Sequence, residues 1–337
     1  MDNLYLGIDV GSVSANLVLL HAAGEVLDSV YLRTGGRPLW AVQEGLARLR
    51  AKAGHGRIAG VAATGSARYL VGLVVGADLI KNEITAHTVA ALHVQPDVQT
   101  VIEIGGQDSK IIIIRRGVAV DFAMNTVCAA GTGSFLDQQA ARLNLDIKEF
   151  GALALQAENP VAIAGRCAVF AESDMIHKQQ IGHPLADIAA GLCEALVRNY
   201  LNNVAKGKEI LAPVLFQGGV AANPGMRKAF AKALGFAPIV PAHYGVMGAL
   251  GAALLVRRSM EEAPAPSSFA GWRLCEEELA TTGEICGDCA NHCEIVAVRR
   301  GGSILAYTGD RCGKWSGSGA LGNVPKLNPW ARPRPVV

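Results

Sequence analysis

The sequence has no apolar run of about 18 residues or more that is free of charge, so no membrane span is predicted. Its formal net charge is only +2, which argues against a nucleic-acid surface, because such a surface needs clustered Lys and Arg. Its glycine turns near residues 11, 105 and 218 fit neither the phosphate-binding pattern GxxxxGKS/T nor the dinucleotide pattern GxGxxG. The first residues lack the basic segment of a signal peptide. We therefore expect a cytoplasmic protein that binds neither membrane nor nucleic acid.

Glycine and small apolar residues are abundant instead. The 337 residues include 39 glycines, with 50% hydrophobic and 18% charged residues, a composition that argues against extensive disorder. The length suffices for two domains with their own cores. Eight cysteines in a reducing compartment favour metal or redox roles over disulfides.

A strand–turn–strand pattern with glycine at the turn occurs twice, about a hundred residues apart. It predicts strands at residues 5–10, 16–20 and 26–32, and again at 100–104, 110–115 and 118–124. Further strands are predicted at 58–63 and 214–217, and helices at 40–50, 83–93, 135–143, 184–204, 224–234 and 244–257. We interpret the pattern as an internal duplication in an α/β protein.

Composition shifts divide the chain into parts. We predict a first subdomain of residues 1–97 and 241–260, and a second of residues 98–240. A Pro/Ser-rich acidic linker follows at 261–270, because EEAPAPSS favours no regular element. A cysteine-rich, ribbon-like module is expected at 271–315 and a flexible tail at 316–337.

The first glycine turn, GIDVGSVS, is a candidate phosphate site. Gly11 lets the backbone approach a phosphate, while Ser12 and Ser14 add hydroxyl donors. Asp9 is a candidate to hold Mg²⁺ through water.

Two further glycine turns have the composition that an ATPase needs. In EIGGQDSK, a second hairpin offers carboxylates for metal-bound water and a glutamine to orient attacking water; its candidate residues are Glu103, Gly105, Gly106, Gln107, Asp108 and Lys110. In QGGVAAN, a double glycine opens into a helix, where backbone can lie flat against adenine; its candidates are Gly218, Gly219, Val220 and Asn223.

Three such turns in this order resemble the actin/hexokinase/Hsp70 ATPase superfamily. The resemblance implies a duplicated, ribonuclease H-like ATPase of two subdomains that face a cleft and bind ATP or ADP with Mg²⁺. In that superfamily a helix with small residues, as at 245–252 here, crosses a counterpart at the interdomain hinge. A plain glycine-rich core helix is the alternative.

Two cysteines, Cys128 and Cys167, each stand just before a predicted helix, Cys167 at an expected strand-to-helix entry. The positive end of a helix lowers a thiol pKa and favours an anionic ligand set. A cubane cluster needs about four thiolates, so one chain offers half the set and a two-fold dimer would supply the rest. Cys193 is expected in the core.

Residues 103–110, 125–137 and 167–174 together resemble the activators of 2-hydroxyacyl-CoA dehydratases and the ATPase subunits of benzoyl-CoA reductase, the BadF/BadG/BcrA/BcrD-type ATPases, over roughly residues 4–257. The resemblance implies a homodimer holding one [4Fe-4S] cluster through Cys128 and Cys167 of both chains. A ferredoxin or flavodoxin would reduce it. ATP hydrolysis would then drive one electron into a partner enzyme related to these dehydratases, to benzoyl-CoA reductase or to double-cubane cluster proteins.

The C-terminal cysteines form a second candidate metal site. Cys286, Cys289 and Cys293 are followed by a predicted hairpin at 294–299 and 304–308 and then by Cys312. Four thiolates suit Zn²⁺ or a second iron–sulfur cluster. Cys275 and His292 are spare ligands, and free thiols in a partly folded tail are the alternative.

Two other functions stay open. A sugar or small-metabolite kinase of the same fold would hold no iron and would depend on a phosphoryl acceptor. A nucleotide-gated regulator would hydrolyse ATP slowly and use its C-terminal module to bind a partner.

Overall fold

A computed structural model describes residues 2–125, 129–312, 314 and 315 of the chain. Its contacts divide the chain into two compact units, Met1–Glu83 with Gly248–Val337, and Ile84–Met247. These boundaries differ from the predicted 97/98 and 240/241. One reason is that residues 84–92 pack on the second sheet, where Ala91 shares a buried cluster with Val101 and Leu215. The predicted tail, 316–337, lies outside the described residues.

The elements alternate between strands and helices in both units. In chain order the strands are β1 (Asn3–Val10), β2 (Ser14–His21), β3 (Val26–Arg33), β4 (Arg57–Thr64), β5 (Leu79–Ile80), β6 (Thr100–Ile104), β7 (Ser109–Arg115), β8 (Val118–Met124), β9 (Val214–Gln217), β10 (Leu279–Ile285), β11 (Glu294–Arg300) and β12 (Ser303–Thr308). The helices are α1 (Pro38–Ala53), α2 (Arg68–Val75), α3 (Glu83–Val94), α4 (Gly133–Arg142), α5 (Ile147–Leu155), α6 (Ala168–Gln180), α7 (Leu185–Asn203), α8 (Pro224–Leu234) and α9 (Met247–Glu262).

The two large sheets repeat one topology, which confirms the predicted duplication. The first has the order β3-β2-β1-β4-β5 and the second β8-β7-β6-β9. In each, an antiparallel meander of three strands is joined by a later strand that runs parallel to the first. The carboxyl ends of the two parallel strands thus meet at one edge of each sheet, where ligands of such sheets bind.

Helix α9 is a core helix of the first unit. A Cβ on Gly7 of β1 would lie 1.9 Å from the carbonyl oxygen of Ala249 and 2.9 Å from the Cβ of Ala253. Only glycine therefore fits this point of β1, and the small residues of α9 let its backbone lie against the strand.

Strands β6, β7 and β9 of the second sheet are buried on both faces. Ile111 and Ile113 of β7 face a large cluster formed with the helices that follow, whereas Ile112 and Ile114 face the smaller cluster with α3. This explains the unbroken apolar run of β7, which has no period-two alternation.

The C-terminal residues fold onto the first unit. The predicted hairpin is confirmed as β11 and β12, and β10 adds a third strand. Leu274 and Val298 join the buried cluster of α1 and the first sheet. Residues 261–270 were predicted as a linker, and here Asp78 accepts hydrogen bonds from the Ser267 hydroxyl and the Ser268 amide, both at 2.6 Å.

No helix in the described part of the chain is long and apolar enough to cross a membrane.

Candidate functional site

In the first unit, Asp9 lies at the carboxyl end of β1, paired with Thr64 at the end of β4. Gly65 follows with φ of 87°, and a Cβ there would stand 2.5 Å from an Asp9 carboxylate oxygen. Gly65 was not among the predicted site residues. The signal for it was a glycine directly after a strand parallel to the one that carries the aspartate. The strand ends thus bring bare backbone against a carboxylate, as a phosphate and metal site needs.

The glycine turn after Asp9 is closed by its own backbone. The Gly11 amide donates to the Ser14 carbonyl oxygen at 2.9 Å, and the Thr34 hydroxyl donates to the Ser12 carbonyl oxygen at 2.9 Å. Ser12 itself is exposed. The turn is therefore fixed by the residue that follows β3, while Ser12 presents its hydroxyl to solvent.

In the second unit, Glu103 and Lys110 form a buried ion pair across β6 and β7. They stand opposite each other in the antiparallel register, with Lys110 Nζ 3.1 Å from Glu103 and 2.7 Å from Asp108. The exposed fractions are 6% for the Lys110 side chain and 7% for that of Glu103. Burial opposes the charged ammonium, but the two carboxylates outweigh it and raise the Lys110 pKa. The candidates Glu103, Asp108 and Lys110 are thus one charged cluster.

Glycines line the Glu103 carboxylate. A Cβ on Gly218 would lie 2.7 Å from a Glu103 carboxylate oxygen, and one on Gly105 would lie 3.4 Å from it. The turn 105–106 is tied to the start of α4, because the amides of Gly133 and Ser134 donate to its two carbonyl oxygens at 2.9 and 2.7 Å. Gln107 projects from this turn as an exposed residue. The glycines therefore let backbone lie against the Glu103 carboxylate more closely than a larger residue would allow.

The third glycine turn ends in a helix cap. Gly218, with φ of 89°, donates its amide to the Tyr244 carbonyl oxygen at 2.8 Å. Asn223 accepts a hydrogen bond from the Met226 amide at 3.1 Å and so caps α8. The candidate Asn223 therefore has a structural partner through its side-chain oxygen.

His87 of α3 is a buried residue that sequence analysis missed. Its Nδ1 lies 2.7 Å from Nε2 of Gln217, which is paired with Glu103 in the parallel register of β6 and β9. Burial, helped by the nearby Lys110 ammonium, lowers the His87 pKa from its ordinary 6.5 to about 3. No local motif marked it, since a histidine within an apolar helix is typical of a core.

Because His87 is buried, we expect the stability of the second unit to fall at acid pH. Between pH 6.5 and about 3 the imidazole is neutral when folded and protonated when unfolded, so the free energy of unfolding falls as pH falls below about 6.5. We expect His87 to contribute a slope of up to about 1.4 kcal/mol per pH unit in this window. Urea unfolding of His87→Gln and wild type across pH 4–7 measures it. The variant should lose the extra slope, exposed His55→Gln should retain it, and equal slopes in all three proteins would contradict the assignment.

Cys167 is the N-cap residue of α6, and it is half-buried. The predicted strand before it is wrong: the described residues 160–167 form no strand, because side chains rather than a neighbouring strand satisfy their backbone. Arg198 donates to the Ile163 carbonyl oxygen at 2.5 Å, and Asn199 Nδ2 donates to that of Gly165 at 2.6 Å. This irregular segment is thus fastened to α7.

Asn199 also reaches the segment after the other cysteine. A Cβ on Gly131 would lie 2.8 Å from its side-chain oxygen, so Asn199 touches both the turn that follows Cys128 and the segment that precedes Cys167. Cys128 itself lies outside the described residues. Cys193 is buried as predicted, and burial raises its thiol pKa to about 12.

The four C-terminal cysteines of the predicted metal site differ in burial. Cys286 and Cys293 are buried, whereas Cys289 and Cys312 are exposed. Among residues 2–125, 129–312 and 314–315, no group of three or more His, Cys, Asp or Glu side chains is arranged to hold a metal ion. The second metal centre stays a prediction.

Strand topology and glycine turns of this kind define a mixed α/β ATPase. The sequence pattern of the BadF/BadG/BcrA/BcrD ATPase family matches residues 6–256, and the chain belongs to that family.

Two relatives within it are dehydratase activators. The (R)-2-hydroxyglutaryl-CoA dehydratase activating ATPase of Acidaminococcus fermentans is 35% identical over 74% of this chain and 95% of its own. The activator of 2-hydroxyisocaproyl-CoA dehydratase from Clostridium difficile, solved with bound ADPNP, superimposes with a TM-score of 0.72 at 31% identity, over 77% of this chain and 96% of its own. A benzoyl-CoA reductase subunit from Thauera aromatica is 28% identical over 50% of this chain and 62% of its own. The C-terminal cysteines lie beyond the family match.

Proposed function

We propose that this protein is an ATP-dependent one-electron activator. It acts as a homodimer that couples ATP hydrolysis to transfer of a low-potential electron into a partner enzyme. The observation that carries the proposal is the setting of Cys167, half-buried at the start of α6 in a segment that α7 holds in place. Fixed backbone and an accessible thiol are what a cluster ligand requires.

Nucleotide binding is assigned to the three glycine turns. Asp9 holds Mg²⁺ through water, the first two turns approach the phosphates, and Gln107 orients the attacking water; the turn after β9 receives the adenine. The close approach of glycine backbone to Glu103 and the exposure of Gln107 support these roles. The residues are Asp9, Gly11, Ser12 and Ser14 in the first unit, and Glu103, Gly105, Gly106, Gln107, Asp108, Lys110, Gly218, Gly219, Val220 and Asn223 in the second.

A [4Fe-4S] cluster held by Cys128 and Cys167 of both chains supplies, when bound, a one-electron centre whose potential depends on exposure, hydrogen bonds and charge. Cys167 fits as a ligand, because its side chain makes no capping hydrogen bond and lies at the positive end of α6. The contacts of Asn199 with Gly131 and with the segment before Cys167 support a common site for both cysteines.

The surface beside Cys167 supports the dimer. Val169 and Phe170, the second and third residues of α6, are 69% and 66% exposed. Large apolar side chains at such exposure are typical of an interface. A two-fold axis beside them would bring both copies of each cysteine together, which completes the four-thiolate set.

The partner follows from the relatives. Their names describe activators of 2-hydroxyacyl-CoA dehydratases and part of a benzoyl-CoA reductase. We assign this protein a partner of the same kind, a dehydratase, a reductase or a double-cubane protein that carries its own iron–sulfur cluster. A ferredoxin or flavodoxin serves as the electron donor.

Purification without oxygen, followed by iron and sulfide analysis and EPR with and without ATP, tests the proposal. We expect about four iron and four sulfide per dimer. Cys167→Ser should lose them, because serine removes two of four thiolates from the dimer, while nucleotide binding persists.

Cys193→Ser is the matched control, since that thiol is buried within α7 away from any candidate ligand set. It should retain the iron. A full cluster in Cys167→Ser, or a monomer in oxygen-free solution, would refute the activator. Turnover that requires an added sugar or small metabolite would instead identify a kinase, and slow ATP hydrolysis without iron a nucleotide-gated regulator.

A further inference from the structure

We propose that Cys286, Cys289, Cys293 and Cys312 bind one zinc ion as a four-thiolate site. The site stands apart from the activator chemistry, because it lies outside the residues that match the ATPase family. Its failure would leave that proposal untouched.

Two of the cysteines already face each other across a strand pair. Strands β10 and β11 end with Ile285 paired to Glu294, and the Cys286 amide then donates to the Cys293 carbonyl oxygen at 2.8 Å. Between them the chain turns back at Cys289, whose carbonyl oxygen accepts from the His292 amide at 3.2 Å. His292 has φ of 41°, an uncommon value for a residue with a side chain. Three cysteines thus share one tight turn.

The chain returns to this turn after β12 and brings the fourth cysteine with it. Lys314 pairs with Asp288 at 2.6 Å, and the Trp315 indole N–H donates to Cys286 Sγ at 3.3 Å. The Trp315 amide donates to Asp310 at 2.9 Å. Cys312 is therefore held between anchored neighbours. An N–H···S hydrogen bond is also what supports a thiolate in a metal site.

The local core is too small to fix this turn without help. Its buried residues are Cys286, Cys293 and Ile295, with Tyr307 and Trp315 packed against them. Two of the three buried residues are thus thiols. A hairpin end with so little apolar burial is marginal, and small modules of this kind commonly gain their stability from a structural metal.

Ligand spacing favours zinc. Cys286 and Cys289 are separated by two residues, and Cys289 and Cys293 by three, within the range that zinc-binding cysteine pairs use. The usual C-x₂-C-x₂-C run of a bacterial iron–sulfur site does not fit this spacing. Each thiol gives up its proton to solvent when it binds the ion.

Zinc binding must draw in the two exposed thiols, Cys289 and Cys312. These two residues distinguish a metal site from free thiols. An exposed cysteine that binds no metal contributes little packing, so its replacement by serine should leave the stability of the protein unchanged. If the site exists, either replacement removes a ligand and opens the turn.

The experiment uses the full-length chain in a Cys167→Ser background, so that the proposed cluster does not contribute metal. After reconstitution with zinc chloride and gel filtration, we expect about one zinc per chain. Cys289→Ser and Cys312→Ser should retain less than about a tenth of it and should be cleaved faster by protease between β10 and β12. Cobalt substitution should give the absorption of tetrahedral thiolate coordination, lost in both variants.

Cys275→Ser is the matched control. Cys275 lies in the same module but is not in the ligand set. Its thiol donates a hydrogen bond to the Trp272 carbonyl oxygen at 2.8 Å. It should keep the zinc. The proposal would be overturned if the Cys167→Ser protein itself held no zinc, or if it held iron with sulfide in place of zinc. Unchanged zinc in Cys289→Ser and Cys312→Ser would overturn it as well.

Discussion

Asp9→Asn should lower the turnover number of ATP hydrolysis by roughly 100-fold while nucleotide still binds. The substitution removes the negative charge of the side chain that, in the proposed function, holds Mg²⁺ through water. It keeps the size of that side chain, which matters because Gly65 lies so close that a Cβ built on it would be 2.5 Å from the carboxylate. The loss should therefore appear in turnover more than in affinity for ATP. Steady-state phosphate release and fluorescent-nucleotide titration measure the two separately.

Asp28→Asn is the control for this experiment, because Asp28 lies on β3 of the same unit and bonds only the neighbouring Ser29 amide among the contacts described here. It should hydrolyse ATP at the wild-type rate. Wild-type turnover in Asp9→Asn would remove Asp9 from the catalytic set.

Lys110→Met should destabilise the second unit by about 3–5 kcal/mol. The ammonium is almost fully buried between Glu103 and Asp108, so its removal leaves the Glu103 carboxylate buried without its counter-charge. All tryptophans lie outside residues 84–247, so their fluorescence does not report on this unit. Hydrogen exchange at the β7 amides measures its opening free energy directly.

Two further variants separate a charge effect from a packing effect. Glu103→Gln added to Lys110→Met should recover much of the loss, because neither charge of the pair then remains buried. Lys208→Met breaks the more exposed pair with Asp121, at 2.6 Å, and should cost far less than Lys110→Met, because water screens that pair. An equal loss in Lys110→Met and Lys208→Met would contradict the buried-pair argument.

The sequence predicted those elements whose apolar pattern is strong and whose ends carry glycine or proline. Strands at 100–104, 118–124 and 214–217 and the helix at 224–234 have the predicted bounds, and the repeated meander followed from its glycine turns. It missed α2, because RYLVGLVV is a short continuous apolar run that suits strand and helix equally. For α6 the sequence predicted only that a helix starts after Cys167, not how far it extends. The reason is that its apolar Val169 and Phe170 face solvent rather than a core.

Within the candidate site, local motifs located the turns but not the side chains that come from elsewhere in the chain. The pairing of Glu103 with Lys110 depends on the register of β6 and β7, which a tight turn fixes, so it was within reach of sequence reasoning. His87 and Asn199 were not, because each lies on a helix far along the chain from the residue that it contacts. Only packed helices create those contacts.

The nesting of one unit inside the other in sequence has a consequence for biosynthesis. Residues 84–247 form one continuous stretch, whereas the first unit needs Gly248 onward, including Ala249 and Ala253 of α9, which pack against Gly7 of β1. On a ribosome the inner stretch emerges whole and can collapse into its own structure. Strand β1 must therefore wait, with its Gly7 face uncovered, until the residues after 247, which include α9, have been translated.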